Sequence, residues 1–460
     1  MSGSGGTFSS DGRGAKVALT TFVLTLSAIV LLGVFGRSGG GSLRDVPKST
    51  LRLATGRPVA STPLAGSQLP GPSAGGVPVA NASLLWARAG GSAKAMLWKG
   101  AEAIDAGLAW SGGFVLSGHD AQGAIVWTSD GRAWNSWRGD VFREAIAIPF
   151  LVRIPSGVLA VGEEPSGKRR EGASPGNVEL AMWTTRDGLT WRRLSASVLA
   201  PFGGAVISLV GTGAPGIIAL GTCGTGTCVW TSPDGTRWSA ARPLPALLSD
   251  LASLRDVATA ESGYVLLQAE GAPPTAHPAV WLSRDGRTWR RLSQALPDGI
   301  VPDRLVASDG HLLVFARTAA RNVAMPLQMW GSADGERWTR LRTEALPFPA
   351  PVPIPGCETT YPLLAAGGGW FYVVAGTGGA WRSRDGTEWE QLPQRDPPIL
   401  FDRPGSDWTG SVDIGHLAVA GRSGILLALT ATNPEDPPPD PVSVWFGEIG
   451  GGYPTVGPLD

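Results

Sequence analysis

Six times between residues 127 and 389 the chain returns to one phrase in which two tryptophans enclose an Asp-Gly pair: WTSDGRAW (127–134), WTTRDGLTW (183–191), WTSPDGTRW (230–238), WLSRDGRTW (281–289), WGSADGERW (330–338) and WRSRDGTEW (381–389). The aspartates, Asp130, Asp187, Asp234, Asp285, Asp334 and Asp385, stand 57, 47, 51, 49 and 51 residues apart. A period of about 50 residues is the length of one four-stranded propeller blade and not of a helical repeat. An apolar run edged by turn residues precedes each phrase: GGFVLSG, GVLAVGE, GIIALGT, GYVLLQA, GHLLVFA and GGWFYVVAG. A seventh run, GILLALT (424–430), leads to SVWFGEI (443–449), which keeps Trp445 and lacks the Asp-Gly turn. Seven units predict an all-β fold, a seven-bladed β-propeller of four-stranded antiparallel blades over residues 83–460.

The phrase itself reads as turn chemistry. An Asp carboxylate accepts hydrogen bonds from the N–H groups of its own tight turn, and the following glycine (Gly131, Gly188, Gly235, Gly286, Gly335 or Gly386) supplies a backbone with φ > 0. The Ser or Thr ahead of Asp can bond the same turn. The second tryptophans, Trp134, Trp191, Trp238, Trp289, Trp338 and Trp389, sit across the hairpin from the first, and each ring can bury roughly 150 to 250 Å² against a neighbouring sheet. Counting Trp445 of the seventh unit, thirteen of the 19 tryptophans occupy these positions, seven before the turn and six after it, which explains why Trp outnumbers the four Tyr so heavily.

The phrase resembles the Asp-box (BNR-like repeat) of the sialidase-like and related propellers. The usual form there is S-x-D-x-G-x-x-W, with one residue more between Asp and Gly than the spacing seen here. The resemblance spans six copies in register. It implies that the aspartates lie at the blade periphery and have a structural role, and it raises the question of sialidase activity. Sialidases use an Arg in an Arg-Ile-Pro stretch, two further Arg that grip a carboxylate, a Tyr nucleophile paired with Glu, and an Asp acid/base. Arg153-Ile154-Pro155 matches the tripeptide, but only Ser156 and Gly157 separate it from the next apolar run, which places Arg153 at the end of an inner hairpin and not at its start. Tyr264 and Tyr372 fall inside apolar strands, Tyr361 precedes Pro362, and Tyr453 lies in the C-terminal tail. Glu163 and Glu164 are adjacent on a strand and therefore face opposite ways; they are expected to be surface charges at a loop edge. No catalytic residue is assigned.

Composition narrows the partners. Basic and acidic residues balance at 38 each, which leaves no electrostatic footprint for nucleic acid. With 65 Gly, 38 Pro and 17% charged residues, the chain suits a turn-rich β fold with a flexible segment attached. Cys223 and Cys228 bracket the loop Gly224-Thr225-Gly226-Thr227 between apolar runs, where facing strands bring two Cα atoms within disulfide range; a hairpin disulfide is expected if the domain is exported. Cys357 is left over. The four His, at 119, 277, 311 and 416, and the Cys fit no zinc spacing, so neither metal nor cofactor is implied.

Residues 17–35, VALTTFVLTLSAIVLLGVF, form an uncharged run of 19 residues, enough to cross a bilayer as a helix. The expected organisation is a short tail (1–15), a transmembrane signal-anchor helix (16–36), a Gly/Pro/Ser/Thr-rich linker (37–82) and the propeller. Arg13 and Lys16 precede the helix while Arg37, Arg44, Lys48 and Arg52 follow it, so charge counting alone favours a cytoplasmic propeller. The possible disulfide, the linker and the resemblance favour an extracytoplasmic one, the orientation adopted here. Only five of the 38 basic residues are Lys, a bacterial-type bias that leaves the sequon at Asn81-Ala82-Ser83 idle.

Ring closure requires a fourth strand for the seventh unit, and AKAMLWK (93–99) is expected to pair with 442–449 and cover that edge. Function is expected in the loops, whose longer members run over 162–179, 270–279, 346–362 and 395–411, the last with Asp402, Arg403, Asp407 and Trp408. The reading is a membrane-anchored binding module for a protein, peptide or glycan, with a sialidase-like glycosidase and an assembly factor for a membrane complex as alternatives.

Overall fold

In the computed structural model, residues 82–88 and 101–451 are described, apart from 130–133, 139–140, 167–177, 214, 225, 249, 272–276, 319–327, 344–345, 347–362, 375–378, 396–412 and 433–441. The expected tail, membrane helix and linker up to residue 81, together with the Asp130-Gly131 pair, segment 93–99, Cys357 and residues Asp402, Arg403, Asp407 and Trp408, lie outside the described residues. Among the described residues no helix is long and apolar enough to cross a membrane.

Each sequence period becomes one sheet. In blade 1, Ala103–Trp110, Gly113–Asp120, Gly123–Ser129 and Trp134–Trp137 pair in chain order, every pair antiparallel. The same order recurs over 147–193, 207–243, 254–292, 300–340 and 363–391. The apolar run of each period forms the second strand. A blade packed between two others buries both faces of this strand, so the run is nearly continuous rather than alternating. Phe114, Val115 and Leu116 are accordingly buried in sequence, as are Val158, Leu159 and Ala160. Clusters such as Leu159, Val161, Met182, Ile217 and Trp230 join blade 2 to blade 3.

The first strand of every blade packs on the first strand of the next, and Asp413–Ala420 of blade 7 returns to Ala103–Trp110 of blade 1. Seven first strands therefore surround one axis. Because the strands alternate in direction, the first–second and third–fourth hairpins all emerge at one end of the ring, the turn end. The second–third connections and the passages between blades emerge at the other, the loop end.

The closing strand is Ala82–Arg88, and not 93–99 as the sequence suggested. It runs antiparallel to Val442–Gly451 over seven rungs, from Ala82 opposite Gly451 to Arg88 opposite Trp445, and completes the seventh sheet. What selects this segment is the hole it fills. Leu84 is fully buried with Tyr372, Val374 and Leu392 of blade 6 and Ile425 and Leu427 of blade 7. Its N–H donates to Pro393 O at 2.8 Å, and Leu84 and Leu85 also pair in parallel with Gln394 and Arg395. The strand thus ties two blades together.

Candidate functional site

The five described Asp-Gly turns, at the turn end, share one geometry. Asp187 Oδ1 accepts the N–H of Leu189 and Thr190 at 2.8 and 2.7 Å, and Asp334 Oδ1 that of Glu336 and Arg337 at 2.9 and 2.8 Å. Asp234 and Asp285 repeat both bonds, and Asp385 accepts the N–H of Thr387. In four of these five turns the hydroxyl two residues earlier accepts the glycine N–H, as Ser332 does from Gly335 at 2.8 Å, and in four, all but that of Asp234, it donates to the carboxylate. Gly188, Gly235, Gly286, Gly335 and Gly386 all have φ between 71° and 83°. These glycines also press on the preceding blade: a Cβ on Gly335 would stand 2.9 Å from Val265. The indole N–H of Trp238, Trp338 and Trp389 returns to the carbonyl of Gly235, Gly335 and Gly386. In blades 2 and 3 the two tryptophans clasp a phenylalanine from a neighbouring connection, Phe142 between Trp183 and Trp191 and Phe202 between Trp230 and Trp238. Trp134 is half-buried on the outer strand of blade 1.

These bonds reshape the acids. Burial by itself raises the Asp234 carboxyl, but the N–H of Thr236 and the guanidinium and N–H of Arg237 outweigh it and bring it down to about 2. The N–H of Arg337, helped by its guanidinium and against partial burial, brings Asp334 to about 2 as well. Both groups stay ionised in the folded ring at a pH where the unfolded chain, with carboxyls at 3.8, takes up protons. Stability from these turns is therefore complete above pH ~4 and is lost as the pH falls from ~4 to ~2. Melting temperature against pH is expected to drop across that window in the wild type and to drop less in the D234N/D334N double variant, whose amide oxygens still accept the turn N–H groups.

The loop end is built differently. In five blades the first strand carries a bulge near its loop-end start, between Ile104 and Ala106, Ala147 and Phe150, Ile207 and Leu209, Leu254 and Asp256, and Pro302 and Arg304. Bulges re-aim side chains and recur beside sites. Opposite the bulge, blades 1 to 3 place Gly118, Gly162 and Gly221, where a Cβ would collide with the carbonyl of Ala103, Ala147 and Val206. The glycine that ends GGFVLSG and recurs in GVLAVGE and GIIALGT is thus a packing requirement, a signal present in the sequence whose meaning needed the bulge.

The residue after that glycine is polar in each of the three blades: His119, Glu163 and Thr222. His119 donates from Nδ1 to Asp105, the extra residue of its own bulge, at 2.9 Å. That hydrogen bond holds the imidazole above its usual pKa despite burial, with further help from Glu102 and Asp120. Thr222 exchanges bonds with Val206, its N–H donating to Val206 O at 2.9 Å and its hydroxyl accepting from Val206 N–H at 3.3 Å. Just beyond it Cys223 and Cys228 form a disulfide across the second–third hairpin, with Cα atoms 5.7 Å apart.

Glu163 is half-buried, and burial alone pushes its carboxyl up. It lines a small solvent-open cleft between blades 2 and 3. Its neighbour Glu164 faces the other way, is 5% exposed and is gripped by Arg193, whose Nε lies 3.0 Å from Oε1. Neither residue is the free surface charge expected of it. Alternation placed them on opposite faces, but the outer-strand arginine 29 residues on and the seam between blades draw both inward.

Other titratable groups knit the ring. Burial pushes the Asp256 carboxyl up, while Arg304 and the N–H groups of Leu305 and Val257 act the other way. Through Leu305 N–H, at 3.1 Å, Asp256 links the first strands of blades 4 and 5. Tyr264 and Tyr372 are at most 2% exposed, and burial pushes both hydroxyls up to about 12. Arg153 is exposed and stands next to last in Ala147–Ile154, at the turn end. The ring does not bring Arg153 to the loop end, and the two tyrosines are core. Tyr361 and Tyr453 lie outside the described residues. Among the described residues no cluster of ligating side chains fits a metal ion.

No family model and no curated protein matches the chain. Among solved structures it is similar to a catalytically inactive virginiamycin B lyase from Staphylococcus aureus with quinupristin (11% identity, TM-score 0.44, covering 78% of this chain and 98% of that one). It is similar too to the phage phi92 endosialidase (11%, TM-score 0.38, 78% and 68%) and to the Trypanosoma rangeli sialidase with the inhibitor DANA (14%, TM-score 0.35, 65% and 54%). Nothing about the chemistry of this chain rests on matches so distant. What the strand order and the ring contacts establish is the architecture: the chain is an all-β, seven-bladed propeller of four-stranded antiparallel blades.

Proposed function

We propose that this chain is a membrane-anchored, extracytoplasmic propeller of the Asp-box type that acts as a recognition module for a peptide, a glycan or a partner protein, with the loop end as its binding face. The observation that carries this reading is the contrast between the two ends. At the turn end the described Asp carboxylates are taken up by the backbone of their own turns, a structural duty. At the loop end lie the bulged first strands, the strand ends Pro165, Arg340 and Arg395 from which long connections depart, and a cleft holding a half-buried acid. Loops on a rigid ring are where binding groups are usually mounted. Membrane attachment is supported by the apolar run at 17–35, and an oxidising location by the Cys223–Cys228 disulfide.

A sialidase reading draws less support. A Tyr nucleophile needs access and a base, and Tyr264 and Tyr372 have neither exposure nor a described carboxylate partner. The test is to screen the whole chain on peptide and glycan arrays beside a fluorogenic sialoside assay. Retention of a defined ligand class without sialoside turnover is the expected result. Turnover above the blank would replace the binding reading with a hydrolase.

A further inference from the structure

We propose that the seam between blades 2 and 3 at the loop end is a binding cleft for a lysine or arginine side chain presented by an extended peptide, with Glu163 as its counter-ion. The inference rests on the recognition reading above and names the chemistry that one of its subsites selects.

Three observations converge. The cleft is small and open to solvent, walled by Phe150, Val178, Leu180 and Val206 around Glu163, and among the described residues no basic side chain lines it. Val206 is 45% exposed at its lip. Apolar walls around a single acid suit an aliphatic stem that lies along them and brings its cation to the carboxylate at the rim. The register puts the acid on the correct face: Glu163 pairs with Leu180, and Val161 with Phe150, so the four share the side of the blade turned to blade 3.

The blade repeat supplies an internal control. At the position after the bulge glycine, His119 is matched by the bulge residue Asp105 and Thr222 by the backbone of Val206. In blade 2 the bulge contributes Ile148 and Pro149, which offer no side-chain partner to an acid. Glu163 alone of the three has no side-chain partner among the described residues, and the adjacent Glu164 shows that this chain can provide an arginine when an acid is wanted for structure. A half-buried acid facing a cleft, with its charge uncompensated among the described residues, is the pattern of a binding group. The wall of the cleft is also braced, since Thr222, next to the disulfide, holds Val206 by two hydrogen bonds.

Calorimetric titration of the full chain with the peptide acetyl-Gly-Leu-Lys-Leu-Gly-amide, its Nε-acetyl-lysine form, and spermidine tests this. The lysine peptide is expected to bind at millimolar or better affinity, the acetylated form at least tenfold more weakly, and Glu163→Gln to weaken the lysine peptide at least tenfold. Glu163→Gln is also expected to raise the melting temperature at pH 7, because burial opposes the ionised acid; a structural acid would lower it. Glu261→Gln, at the turn end, is expected to change neither affinity nor melting temperature. Equal binding of the two peptides, or undiminished binding by Glu163→Gln, overturns the proposal. Spermidine binding as tightly as the peptide, with the same dependence on Glu163, would overturn the peptide as occupant and make the cleft a polyamine site. If an array ligand binds and ignores Glu163→Gln, this subsite fails while the recognition reading stands; if the arrays and the lysine peptide are both blank, the recognition reading fails with it.

Discussion

Deleting residues 82–88 is expected to unfold or aggregate the ring, whereas deleting 40–80 leaves its melting temperature unchanged. The first deletion removes Leu84 from the seam between blades 6 and 7 and strips Val442–Gly451 of its partner over seven rungs. An unpaired strand at a sheet edge is a template for association with other chains. The point variant Leu84→Ala isolates the packing part, and an alanine at a fully buried leucine costs about 2 to 5 kcal/mol. Thermal unfolding with light scattering separates the outcomes. Equal melting temperatures for the two deletions would mean that the ring does not depend on this strand.

Gly335→Ala is the second large effect, and Gly203→Ala is its control. Both glycines are left-handed, with φ of 75° and 55°, so both substitutions pay the same backbone penalty of roughly 1 to 2 kcal/mol. They differ in surroundings. A Cβ on Gly203 meets nothing within 4 Å, while one on Gly335 meets Val265 at 2.9 Å and Leu282 and Leu312 at 3.4 Å. Overpacking a tight seam adds about 1 to 3 kcal/mol. Denaturant midpoints are therefore expected to fall clearly further for Gly335→Ala. A matched pair would show that the glycine serves the turn alone and not the contact between blades.

The contrast between these glycines shows what a single sequence discloses. The period, the apolar runs and the turn chemistry made the seven sheets legible, because each is local and repeats in register. The reason Gly118, Gly162 and Gly221 end their runs was not legible, since it lies in a bulge of the neighbouring strand. Closure was misassigned for a related reason. Both ASLLWAR and AKAMLWK hold a Leu-Trp or Leu-Leu-Trp core, and only the hole beside Tyr372, with Pro393 O in reach, tells them apart. The candidate cleft was hidden for the same cause: alternation separated Glu163 from Glu164, but the arginine that takes one and the seam that shelters the other come from different strands. Interactions within one hairpin can be read in advance, whereas those across a seam need the ring.

The N-terminal strand also decides what a protease can release. A cut ahead of Ala82 would free the ring with its last sheet complete, since Ala82–Arg88 leaves with it. A cut between Arg88 and Ala101 leaves this strand on the N-terminal fragment, held to the ring only by its ladders and by Leu84. Cleavage at the two places, a few residues apart in sequence, would yield a sealed ring in one case and a ring that opens as its staple slips out in the other.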